Sequence, residues 1–140
     1  MIRNRSMPPG ILIPELGYAD VHAAAAWLCA AFGFSERLRI ADHRVQLTLG
    51  DASLVVIEGP PRPDAAHAAT HAIMVHVDDF DAIFTRAKTL EARVVRDPAD
   101  YPYGERQCTL VDIGGHTWTF SQTIADIDPA DWGGELRIRE

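Results

Sequence analysis

The order of elements along the chain repeats itself. Read by hydrophobic period, the 140 residues give strand, helix, strand, strand, strand, and then the same series again. In the first copy, 11–18 is apolar enough for a strand, with Pro14 arguing for an edge or a bulge. Asp20 can cap a helix over 21–32, where Val21, Ala24, Ala25, Leu28 and Phe32 recur at helical spacing and Gly33 stops it. Strands follow at 34–40, 44–49 and 53–58, the middle one alternating Val45, Leu47 and Leu49 with Arg44, Gln46 and Thr48. In the second copy 71–77 is a strand. Asp78 or Asp79 then caps a helix whose apolar face is Phe80, Ile83, Phe84, Ala87 and Leu90. A short strand at 93–96, a long Pro- and Tyr-bearing loop at 97–105, and strands at 106–112 and 116–121 around Gly114-Gly115 complete it. A duplicated unit of about 50 to 60 residues accounts for both series.

One such unit leaves a sheet face bare. Two side by side predict an α+β fold: two βαβββ modules forming a curved, cup-shaped mixed sheet with helices outside. We expect a single domain over 1–140, with module one at about 11–58 and module two at about 71–121. A Pro- and Ala-rich linker lies between them at 59–70. Residues 1–10 read as an irregular lead-in, and 122–140 as a mostly irregular tail that Trp132 anchors.

A net charge of −7, with acids spread along the chain, argues against a nucleic-acid partner and is compatible with a cationic small molecule. No run of about 18 apolar residues predicts a membrane span. The start MIRNRSMPPG is followed by Pro14, Glu15 and Gly17, so it makes no signal peptide, and a cytoplasmic protein fits best. Cys29 and Cys108 fall in regular elements and read as buried free thiols. Neither a phosphate-cradling glycine loop nor a nucleophile elbow is present.

The paired order, together with YADVHAAAAWLCAAFGF in the first module and HAIMVHVDD and VDIGGHTWTF in the second, resembles the vicinal oxygen chelate superfamily of glyoxalase I, bleomycin resistance proteins and extradiol dioxygenases. AFGF after a Trp-Leu helix and PYGERQCTLVDIGGHTWTF look like the bleomycin-resistance and PhnB-like branches. That resemblance implies four metal-ligand positions, at the start of each module's first strand and the middle of its last. Internal alignment puts them at Ile13, Val56, His71 and Thr119, of which His71 alone is a ligand type. One imidazole does not hold a catalytic divalent ion, so no metal or other cofactor is expected. A displaced site from His71, Glu15 and Glu58 is the alternative. The resemblance also implies a homodimer.

Alternation predicts which residues line the cup. His71, Ile73 and Val75 would face it, with Ala72 and Met74 on the helix side. Arg44, Gln46, Thr48, Gln107, Thr109, Thr117, Thr119 and Ser121 would face it too, joined by Tyr101, Tyr103 and Arg106 in and beside the long loop. The candidate ligand-binding set is therefore His71, Gln46, Thr48, Glu58, Tyr103, Arg106, Gln107 and Thr119. His76 and His116 read as structural. The expected function is metal-independent binding of a small molecule, a drug or metabolite. The alternative is a glyoxalase-type lyase or isomerase in which His71 helps hold a divalent metal and Glu58 is the base.

Overall fold

The structure is a computed structural model that describes residues 2–60 and 70–138. The expected linker lies largely outside the described residues. The described residues form two compact units: 2–60 with 113–116, and 70–112 with 117–138. Each is a four-stranded mixed sheet with one helix on one face.

The first unit runs β1 (Glu15–Tyr18), α1 (Val21–Phe32), β2 (Ser35–Ile40), β3 (Arg44–Leu49) and β4 (Ala52–Glu58), in the sheet order β1-β4-β3-β2. Helix α1 starts where expected because Asp20 accepts from Ala23 N at 3.0 Å. It stops at Gly33, whose φ of 81° is a left-handed cap that a side chain would disfavour. Its buried stripe of Val21, Ala24, Ala25, Leu28, Ala31 and Phe32 packs on the sheet. Val45 pairs with Val56 and Leu47 with Leu54, and all four are buried. Burial of each such side chain contributes about 1.5–3 kcal/mol. The first strand is shorter than its apolar run suggested: Ile11 and Leu12 are exposed, and only Glu15–Tyr18 pairs with β4. Pro14 has no N–H to give, but its carbonyl accepts from Val55 N at 2.9 Å. The 113–116 turn belongs to this unit. His116 Nε2 donates to the Gly17 carbonyl at 2.7 Å, and its ring lies 4.7 Å from that of Tyr18.

The second unit runs β5 (Ile73–His76), α2 (Phe80–Thr89), β6 (Arg93–Tyr101), β7 (Glu105–Val111) and β8 (Thr117–Thr123), in the order β5-β8-β7-β6. Asp79 is the cap of α2, accepting from Ala82 N at 3.2 Å. Trp118, Phe120, Cys108, Leu110, Val75, Phe80 and Ala87 are buried, and Trp118 Nε1 donates to Asp112 at 2.9 Å. Two expectations fail here. The stretch 97–105 is mostly strand: β6 runs on to Tyr101 through register shifts between Arg96 and Ala99, which accommodate Pro98. The parity of the first strand is also inverted. Ile73 and Val75 pair with Trp118 and Phe120 on the helix side, whereas Met74 and His76 pair with Thr119 and Ser121 on the other. Past Thr123 the tail makes one turn of 3-10 helix, Pro129–Trp132. No helix among the described residues is long and apolar enough to cross a membrane.

Candidate functional site

The helix-free face of the second sheet carries a connected polar chain. Gln107 pairs with Ser121, and Thr109 with Thr119, so all four side chains emerge on this face. Tyr103, in the turn before β7, donates to Gln107 Oε1 at 2.9 Å. Gln107 Nε2 donates to Ser121 Oγ at 2.9 Å, and Ser121 Oγ donates to Glu105 Oε1 at 2.7 Å. His76 Nε2 lies 2.8 Å from Thr123 Oγ1 and 3.8 Å from the same Glu105 oxygen. Gln107, Thr119 and Ser121 are buried, while His76 and Met74 stand exposed beside them. The amide uses both ends, which fixes its orientation.

Aromatic rings border this network. Tyr101 stacks on Tyr103 at 5.4 Å and 14°, and Trp132 tilts against Tyr103 at 5.2 Å. Arg96 sits 5.2 Å over the Tyr101 ring. Burial raises the pKa of Glu105, but hydrogen bonds from Ser121 and Thr123 and the charge of His76 outweigh it, so the carboxyl falls below its usual range. The face thus offers a stable negative charge, aromatic surface and oriented dipoles.

Of the expected site residues, Tyr103, Gln107 and Thr119 come together here. Gln46 and Thr48 lie on the helix-free face of the first sheet, where Gln46 pairs with Val55 and Thr48 with Ser53. Three do not join. His71 is exposed and lies ahead of β5 instead of in it. Arg106 pairs with Asp100 and Gln122, on the opposite side of the sheet from Gln107, and grips Asp100 with contacts of 2.8 and 3.2 Å. Glu58 follows the parity of buried Val56, on the helix side of β4.

The same registers test the metal positions. Val56 packs against Val45, so it faces the helix, and Ser53 is the first-sheet counterpart of Thr119. Glu15 follows Val55 and Glu58 follows Tyr18, so the two carboxylates point to opposite faces and cannot share an ion. Among the described residues no three His, Cys, Asp or Glu side chains are grouped to hold a metal.

Sequence reasoning missed His76, Glu105 and Trp132 as members of one face. His76 was hidden because reading Ile73 and Val75 as cup-facing turned it to the helix side, whereas pairing with β8 puts it opposite. Glu105 was hidden because the preceding residues read as loop.

Comparison with known proteins follows the same lines. A model of the Glyoxalase/Bleomycin resistance protein/Dioxygenase superfamily matches residues 11–120. TioX from Micromonospora sp. ML1 is 30% identical, with a TM-score of 0.67 and an alignment covering 80% of this chain and 97% of that one. A lactoylglutathione lyase from Agrobacterium tumefaciens is 22% identical (TM-score 0.62, 83% and 96% covered). The fosfomycin resistance protein FosX from Listeria monocytogenes, complexed with Mn(II) and sulfate, is 15% identical (TM-score 0.69, 84% and 92% covered). These last two share the fold. A comparison with curated proteins found no match. The duplicated βαβββ order and the family model agree: the chain belongs to the glyoxalase/bleomycin resistance protein/dioxygenase superfamily.

Proposed function

We propose that this protein binds a small organic molecule without a metal, in the drug- or metabolite-sequestering manner of the bleomycin-resistance-like branch. The helix-free face of the second sheet is the binding surface. One observation carries this: a carboxylate kept ionised by Ser121 and Thr123 lies in the same network as the stacked Tyr101, Tyr103 and Trp132 rings. A planar aromatic cation matches both features, the charge through Glu105 and the ring through stacking. The bound species is held and no bond is broken. We also propose that the protein works as a homodimer.

The lyase alternative needs three protein ligands to an ion. The described residues bring His76 and Glu105 within 3.8 Å of each other, without a third donor grouped with them. The test is a titration with an acridinium dye followed by tryptophan fluorescence, in parallel with Ni²⁺ and Zn²⁺ titrations. Saturable dye binding that Glu105→Gln weakens supports the proposal. Tight stoichiometric metal binding lost in His76→Ala, with no dye binding, would overturn it. Light scattering gives the oligomeric state.

A further inference from the structure

The helix-free face of the first sheet is already occupied, and its occupant is the chain's own beginning. Residues 5–9 cross it. Arg37 Nη2 donates to the Arg5 carbonyl at 2.9 Å, Gln46 Nε2 to the Ser6 carbonyl at 2.9 Å, and Ser53 Oγ to the Pro9 carbonyl at 2.5 Å. Arg37 Nη1 also donates to Gln46 Oε1 at 2.6 Å, which aims the amide nitrogen at the segment. Pro8 is buried. The segment is shaped locally as well: Asn4 Oδ1 accepts from Ser6 N at 3.0 Å, and the Asn4 carbonyl accepts from Met7 N at 3.2 Å. The expected irregular lead-in is thus irregular but held.

The chemistry of these contacts is specific. Three side-chain donors from β2, β3 and β4 each meet a main-chain carbonyl, and none of the three reads a side chain of the segment. Gln107, which holds the register position of Gln46 in its own sheet, makes its hydrogen bonds to the side chains of Ser121, Tyr103 and Arg96 instead. Duplicated glutamines have therefore diverged, one into a side-chain network and the other into a carbonyl reader.

We propose that this face of the first sheet is a peptide-binding site. It takes a proline-containing segment that enters through a turn and is held by its backbone carbonyls, and residues 5–9 fill it in cis as a tethered competitor. A peptide of the same kind displaces them when it is abundant or when the tether is loosened. Sheet one would hold this segment whether or not sheet two binds a ligand.

The probe is a fluorescein-labelled synthetic peptide with the sequence of residues 2–10, IRNRSMPPG, followed by anisotropy with the full-length chain. Pro8→Asp in the chain places a charge where a buried ring sat, which releases the segment. Trypsin cleavage after Arg5 reports that release. The tethered segment acts at millimolar effective concentration, so Pro8→Asp should bind the probe at least about tenfold more tightly than wild type. Adding Arg37→Ala and Ser53→Ala, which remove two carbonyl donors, should weaken probe binding by about tenfold or more. In the otherwise wild-type chain the same pair should speed cleavage after Arg5. The proposal is overturned by rapid cleavage of Pro8→Asp without probe binding, by equal binding to wild type, by binding indifferent to the two donors, or by cleavage that neither set of substitutions accelerates.

Discussion

His76 Nε2 stands 3.8 Å from Oε1 of Glu105, the oxygen that also receives the Ser121 hydroxyl. The carboxylate is thereby tied into a buried chain while its charge is presented beside an exposed imidazole. On the proposed reading, ligand binding at this face depends on how firmly that carboxylate stays ionised.

Glu105→Gln tests this by pH. The folded pKa of Glu105 lies below its ordinary value. Such a group stabilises the fold above its unfolded pKa, and the contribution disappears as pH falls through the lowered folded value. Urea unfolding should show wild type more stable than Glu105→Gln at neutral pH. The difference should shrink as pH falls below 4.5 and through the lowered folded value. A gap that persists unchanged into strong acid would mean that ionisation is not its source.

Gln107 supports the floor of the same face. Gln107→Leu keeps the volume but leaves the Tyr103 and Ser121 hydroxyls without their amide partner. The expected cost is about 2 kcal/mol, read from the urea midpoint at constant slope. Dye binding should weaken with it, because Tyr103 loses the bond that fixes its ring.

Cys108 predicts an alkaline effect. Burial pushes its thiol up from 9.0 to about 11, against smaller opposing contributions from the Phe120 backbone and Arg96. A raised folded pKa gives stability that is complete below the unfolded pKa and is lost as pH rises through the folded one. Wild type should lose stability from pH 9.0 towards about 11, while Cys108→Ala should lack this component. At mildly alkaline pH the Cys108 thiol should resist an aromatic disulfide reagent until the protein is denatured, since only the thiolate reacts.

Gly114 lies where a Cβ would run into the Tyr18 ring. Gly114→Ala should cost about 1–3 kcal/mol by overpacking. In a Tyr18→Ala background the same substitution should cost far less, and thermal unfolding of the four proteins of this cycle measures the coupling. Additive effects would show that the ring is not what excludes the side chain.

Sequence made both helices legible because each had a chemical boundary and a period. Asp20 and Gly33 fix α1, and the Phe80 to Ala87 spacing sets the buried face of α2. Strand parity was harder to read. In β5 the set Met74 with His76 is as apolar at its start as Ile73 with Val75, so only pairing with β8 decides which faces inward. Leu54 to Ile57 is an unbroken apolar run, and such a run carries no alternation at all. The two closing turns also differ: Leu49 pairs directly with Ala52, whereas Val111 pairs with Thr117 across a longer loop. Counting from one module to the other therefore misplaced Val56 and Glu58. Proline was over-read as loop in 97–105, where bulges let the strand continue.

Those bulges in β6 have a consequence for how the molecule behaves in a crowded solution. An outer strand nine residues long would ordinarily be a template on which another chain could polymerise. Here Pro98 withholds an N–H, and the register breaks twice along its length. A foreign strand meets a discontinuous row of donors and acceptors. An outer strand broken in this way is a poor template for the growth of a fibril.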